Sequence, residues 1–450
     1  MMATARRVVV TGMGVVCPLG STKEALWESL ARRQSGVALL GGDGPDSMPD
    51  ACGGSGRLGG PVRFGAAARQ FNGEIEAFGS LEKEQKKAIR KGLKVMCREC
   101  QMGVAAAQTA LADAGITPGH FDPDRAGISF GTDYMLSVPE EFSEGIVQCL
   151  DEQGQFQFSR WGNEGMPKMS PLWLLKYLPN MPASHLAIYN DFRGPNNSIT
   201  LREAASNAAL GEAWQIIVRG GADIMLVGAT GTRLHPMKAI HAVQQEEVFS
   251  GAGDPARASR PFDRDRQGMV LGEGAGAIVL EEFASAQARH ATIHGEILSA
   301  ATSSVSTRGL NARCDQAMIN VLQAVLRAAG TEMDDVGHLH AHGLSTRRGD
   351  ADEARAIQTV FATRRRPIPV TAAKSYFGNL GAGSGMVELI ASLLAIGHDH
   401  LFPILNYRQA DPDCPVAAVQ GDAAKPGASF INLNATPQGQ AAAVMVRQFA

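Results

Sequence analysis

Aromatic residues, charge and a regular cysteine framework are all scarce in this 450-residue chain. Phe, Trp and Tyr make up 6% of it and Asp, Glu, Lys and Arg 19%. So few charges beside 44% hydrophobic residues exclude a disordered polyampholyte, and leave enough apolar mass for two or three domain-sized units. The seven cysteines, at 17, 52, 97, 100, 149, 314 and 414, are odd in number and scattered. That excludes a disulfide-stapled secreted scaffold and fits reduced thiols in the cytoplasm. A formal net charge of −3 supplies no global attraction for nucleic acid or an anionic membrane. No stretch approaches the roughly 20 apolar residues of a membrane span. The Val8-Val9-Val10 run behind Arg6 and Arg7 is too short for a signal-peptide core. The expectation is a cytoplasmic globular protein with no nucleic-acid partner and no membrane span.

What is present is alternation. Arg7 to Thr11 is a β-branched run closed by Gly12-Met13-Gly14, the pattern of a buried first strand, and Thr22 to Arg32 has the apolar spacing of an amphipathic helix. Strand-like runs follow at 126–130, 224–227 and 276–280, with helical stretches at 95–114 and 206–218 between them. After about Phe283 the pattern resumes, with strands at 295–298 and 336–341, a helix at 315–329 and a β-rich end near 443–446. This predicts an α/β fold of two related halves, residues 1–283 and 284–450, with central sheets layered between helices. The stretches 40–90 and 131–190, rich in Gly, Pro, Phe and Met without clean periodicity, read as insertions at a surface or an interface.

Several motifs are weaker than they look. Gly12 and Gly14 follow a strand, but the third glycine of a dinucleotide fingerprint is missing and Cys17-Pro18 interrupts the helix start. Cys97 and Cys100 have no second ligand pair, so buried or partly buried thiols are expected rather than zinc or redox chemistry. The bases Lys86, Lys87, Arg90, Lys91 and Lys94 read as a solvated helix face in preference to a dock for an acidic protein, and so does Arg364-Arg365-Arg366.

The stretch from Gly194 to Asn207 is more informative. It runs from a strand through Leu201-Arg202-Glu203 into an alanine-rich helix. Unpaired N–H groups and the positive dipole end at a helix start stabilise an anion, so a cysteine at 203 would become a thiolate while a glutamate stays ionised.

With the flanking segments Leu178 to Met181, Arg193-Gly194-Pro195 and Gly220-Gly221-Ala222-Asp223, this elbow resembles the nucleophile region of β-ketoacyl-(acyl carrier protein) synthases. The resemblance continues through Arg260 to Arg266, Leu271 to Gly276, Ala341-His342-Gly343-Leu344-Ser345-Thr346 with Asp350 and Glu353, and Lys374 to Asn379. It implies a thiolase-like fold, a dimer, acyl carrier protein as partner, and no cofactor beyond the carrier's phosphopantetheine arm. It places Glu203 where the family has its nucleophilic cysteine, His342 at the first catalytic histidine, Asn379 at the second, and Lys374 beside them. Asp263 and Glu353 are assigned supporting, structural roles. The family's glycine- and phenylalanine-rich gating loop is replaced by Asn432 to Gly439.

A carboxylate is a poor nucleophile toward a thioester, so condensation by this chain alone is expected to be lost. Kept fold and lost cysteine resemble the chain-length-factor subunits that pair with a cysteine-bearing ketosynthase in fatty acid or polyketide biosynthesis. A homodimer is the other assembly considered. The alternative function is a stand-alone malonyl-carrier-protein decarboxylase, or another acyl-carrier-processing enzyme, using His342 and Asn379. Because a buried carboxylate needs a counter-charge, Glu203 is expected to join His342 and Lys374 in one ionic cluster.

Overall fold

A computed structural model describes residues 6–40, 62–119, 121–421 and 423–449. Cys52 and most of the glycine-rich part of the first insertion lie outside them. Ten main strands arise in chain order: β1 (Val8–Val16), β2 (Ala126–Thr132), β3 (Asn196–Thr200), β4 (Ile224–Thr232), β5 (Leu271–Glu282), β6 (Gly295–Ser304), β7 (His338–His340), β8 (Pro369–Thr371), β9 (Ser429–Ala435) and β10 (Gln440–Arg447).

The first five lie side by side in the order β1-β5-β4-β2-β3, and the last five in the order β6-β10-β9-β7-β8. Directions repeat as well as order. β1/β5 and β5/β4 are antiparallel while β4/β2 and β2/β3 are parallel. Correspondingly, β6/β10 and β10/β9 are antiparallel while β9/β7 and β7/β8 are parallel. The two sheets join edge to edge where Val8–Val10 pairs with Gly295–Ile297.

Six helices cover and separate these sheets: α1 (Lys23–Ala31), α2 (Arg98–Asp113), α3 (Ala205–Val218), α4 (Cys314–Ala329), α5 (Arg347–Phe361) and α6 (Ser384–Gly397). α2 packs on the outer face of the first sheet and α4 on that of the second, while α3 and α6 touch strands of both. This position explains why α6 is apolar around nearly its whole circumference, since a helix between two sheets has no solvent face.

The expected first helix forms with Thr22 as its N-cap, the hydroxyl accepting from Ala25 N at 3.1 Å. The first strand departs from expectation, because Gly12 and Gly14 continue it to Val16 instead of ending it. A Cβ on Gly12 would stand 2.3 Å from the Ala110 carbonyl oxygen, and one on Gly14 2.0 Å from that of Ala106. Both glycines therefore let β1 lie directly on α2. Cys100 is buried and Cys97 half-buried on the first turns of that helix. Lys86, Lys87, Arg90 and Lys91 lie on a helix, Lys83–Gly92, that buries only Ile89, Lys94 lies in the 3-10 turn after it, and Arg365 pairs with Asp334 at 2.8 Å. Residues 131–190 form mostly single turns with two short helices, Ser143–Gln148 and Met181–Asn190. No helix of the described residues is long and apolar enough to cross a membrane.

Candidate functional site

The carboxyl ends of the parallel strands of both halves point into one interior region, where open α/β sheets place their ligands. β3 leads into the elbow carrying Glu203, β4 leads to Arg233, β7 to His342, and β8 to Lys374 and Asn379. All five side chains are buried, His342 being 7% exposed and the rest 1% or less.

Glu203 sits in a single 3-10 turn at the head of α3. Its Oε1 accepts from Asn379 Nδ2 at 3.0 Å and from Arg233 Nη2, and its Oε2 is 3.3 Å from Arg202 Nε. Glu246 bridges the two arginines, 2.8 Å from Arg202 Nη2 and 3.2 Å from Arg233 Nη1. Two guanidiniums and two carboxylates thus alternate in a closed ring. Arg202 holds its place with φ of 50°, a left-handed conformation that costs a non-glycine residue about 1–2 kcal/mol. Its ion pairs offset that strain. Burial alone would push the Glu203 carboxyl up, yet Arg233 and Arg202, helped by the Asn379 amide and His342, hold it well below the usual carboxylate range.

The expected cluster of Glu203, His342 and Lys374 is not what forms. Lys374 donates to Glu388 and to the His342 carbonyl at 2.8 Å, leaving 3.4 Å to His342 Nδ1. Glu388 Oε2 in turn accepts from Asn434 Nδ2 at 2.7 Å, and Asn434 Oδ1 from Asn207 Nδ2 at 2.9 Å. The site therefore holds two separate ion-pair systems, because a lysine amine beside a fully buried carboxylate on α6 has no reach left for Glu203. Burial and the neighbouring Lys374 charge keep His342 well below the ordinary imidazole range, so it is neutral at pH 7.

Asn379 spends its amide on Glu203 and on Met269 Sδ at 3.4 Å. Glu353 accepts from the backbone N–H groups of His342 and Gly343 at 2.6 and 2.8 Å, and so fixes the turn that carries the histidine. Asp263 accepts from the N–H groups of Asp265, Arg408 and Gln409 at 2.7–2.9 Å, far from the ring. The stretch that stands in place of the family's gating loop is mostly strand. Asn432 to Ala435 belong to β9 and only Thr436 to Gly439 turn, with Gln438 Oε1 3.3 Å from Arg202 Nη1.

Residues 5–286 match the β-ketoacyl synthase N-terminal domain and residues 294–408 the β-ketoacyl synthase C-terminal domain. The chain belongs to the β-ketoacyl synthase family. It is 30% identical over 430 residues to 3-oxoacyl-[acyl-carrier-protein] synthase 2 of Synechocystis sp., covering 92% of this chain and 91% of that one. The Staphylococcus aureus synthase of the same name is 29% identical over 446 residues, 99% of each chain. Among solved structures, the ishigamide ketosynthase/chain length factor gives a TM-score of 0.81 at 25% identity, covering 99% of this chain and 100% of that one. A type II polyketide acyl-carrier protein in complex with its ketosynthase gives a TM-score of 0.80 at 24% identity, with the same coverage, a likeness of fold. The fold is the thiolase-like α/β fold expected.

Within this member of the ketosynthase family, sequence reasoning missed Arg233, Glu246 and Glu388. Arg233 directly follows the strand that ends Thr230-Gly231-Thr232, and only the position of that strand end opposite the elbow brings it to Glu203. The available signal was physical: a glutamate at an interior helix start demands a cation, and Arg202 was its immediate neighbour.

The sign of the Glu203 shift yields a test. Its folded value lies below the unfolded one of about 4.3, so its stabilisation is present at neutral pH and fades as pH falls through the folded value. The stability difference between wild type and Glu203→Gln, measured by urea unfolding, is expected to hold constant from pH 7 to about pH 5 and to shrink as pH falls below the unfolded value. A difference that widened on acidification would mean a raised carboxyl instead.

Proposed function

We propose that this ketosynthase-family chain is a non-condensing, chain-length-factor-like partner of a cysteine-bearing ketosynthase in fatty acid or polyketide biosynthesis. It would act in the cytoplasm, with acyl groups delivered on the phosphopantetheine arm of an acyl carrier protein and no cofactor of its own. The observation that carries this reading is the state of Glu203, ionised, unexposed and held by two arginines and an amide. A carboxylate held by such counter-charges is a poor nucleophile toward a thioester, and a mixed anhydride would be no resting intermediate. Five of the six described cysteines have thiols raised above their ordinary value. Burial pushes the Cys17, Cys97 and Cys414 thiols up to about 12 and Cys100 well above its ordinary value.

The surface supports a partner. Among the described residues β3 pairs with no strand but β2, so its outer edge is open to another strand. Beside it, Ile188 on the helix behind β3 is 75% exposed. An apolar cavity of about 530 Å³ lies between Met135, Phe142, Ile146, Trp173, Leu174 and Met237. Open edges and apolar hollows of this kind mark association surfaces.

The competing decarboxylase would need the Asn379 amide to leave Glu203 for an enolate oxygen, and a malonyl carboxylate to approach the Glu203 charge. Intact-mass analysis separates the readings. The purified chain is incubated with malonyl- and acyl-carrier proteins, then co-expressed with a cysteine-bearing ketosynthase from the same organism. Unchanged masses together with a co-purifying mixed dimer are expected. Conversion of malonyl to acetyl that His342→Ala abolishes would replace the proposal with the decarboxylase.

A further inference from the structure

Glu203 is not simply a side chain filling a gap, because two guanidiniums and an amide gather around its carboxylate. Arg233 Nη2 and Asn379 Nδ2 donate to Oε1, which Arg202 Nη2 also reaches at 3.5 Å, while Oε2 lies 3.3 Å from Arg202 Nε as an ion pair without a hydrogen bond. Arg233 and Asn379 are each 1% exposed. Glu246 pairs with both guanidiniums, sharing Arg202 Nη2 with Glu203, and the Asp133 charge acts on both arginines. His342 is neutral, and the Lys374 charge is taken by Glu388.

We propose that Arg233, Arg202 and the Asn379 amide form a receptor for one small carboxylate, which Glu203 fills from within the chain. The class of ligand follows from the donors. Arg233 and Asn379 donate to one oxygen while the Arg202 charge stands 3.3 Å from the second, and positive charge spread over two points suits a planar carboxylate better than a spherical halide. Glu203 then acts as a built-in occupant that keeps any acid-bearing acyl group out. The proposal rests on the site geometry alone, so it stands or falls separately from the partner role.

The test removes the occupant and supplies a substitute. Glu203→Ala and Glu203→Ser are unfolded with urea in acetate, formate or chloride at equal ionic strength, beside wild type. At acetate concentrations about ten times its dissociation constant, the folding equilibrium constant of the variants is expected to rise about tenfold relative to chloride. Wild type should not respond. If a variant is unfolded in chloride, the fraction refolded on dilution from urea into acetate is read instead, and should exceed that in chloride. Equal response to acetate and chloride, or the same acetate response in wild type, overturns the proposal. Adding Arg233→Leu to either variant should abolish the acetate effect.

Discussion

Arg233→Leu is expected to destabilise the protein by about 3–5 kcal/mol, because it takes from the unexposed Glu203 carboxylate its closest counter-charge. Arg233 is 1% exposed and touches both Glu203 and Glu246, so one substitution breaks two contacts of the ring. Arg202 remains for Glu246 at 2.8 Å but meets Glu203 only at 3.3 Å. The double variant Glu203→Gln/Arg233→Leu removes the stranded charge and should recover much of the loss, since deleting both members of a buried pair costs far less than deleting one. Urea unfolding of the two single variants and the double variant measures the coupling. Wild-type stability in Arg233→Leu would refute the assignment of Arg233 as the counter-ion of Glu203.

A loss of similar size, again about 3–5 kcal/mol, is expected for Lys374→Met. Lys374 is the only cation paired with Glu388 among the described residues, and Glu388 is unexposed with its other oxygen on Asn434. The sign with pH distinguishes this case from the first. Burial already raises the Glu388 carboxyl, and without the lysine the folded value climbs further. A raised carboxyl is most favourable at low pH and loses stability as pH rises, so the deficit of Lys374→Met should be smaller at pH 5 than at pH 8. Glu388→Gln added to Lys374→Met should flatten that dependence. A deficit independent of pH would mean that Glu388 is not the group left unpaired.

Much of the architecture was legible because it depends on local pattern. The β-branched first run, the Thr22 cap and the alternating apolar segments each specify an element from a few neighbouring residues. The misreadings were positions where packing overrides local preference. Gly12 and Gly14 look like a strand end by composition, yet they sit inside β1 because α2 presses its backbone against them. The stretch Asn432 to Ala435 looks like a loop, yet its asparagines point inward to meet Asn207 and Glu388. Asparagine tolerates a buried strand when each amide has a partner, and those partners come from α3 and α6.

The sequence by itself determined that Glu203 stands at a strand-to-helix elbow where ionisation is favoured, and that His342, Lys374 and Asn379 belong to the same site. It determined the family through motifs spread over nearly the whole chain. Tertiary structure alone decided which charge answers which. Glu203 lies 30 residues from Arg233 and 176 from Asn379, and Lys374 lies 14 from Glu388. Coulomb attraction acts over ångströms of space, not positions in sequence, and a buried charge takes the cation that the strand ends bring into contact. That is why Lys374, the residue expected to answer Glu203, answers Glu388, and why an arginine with no motif of its own holds the centre of the site.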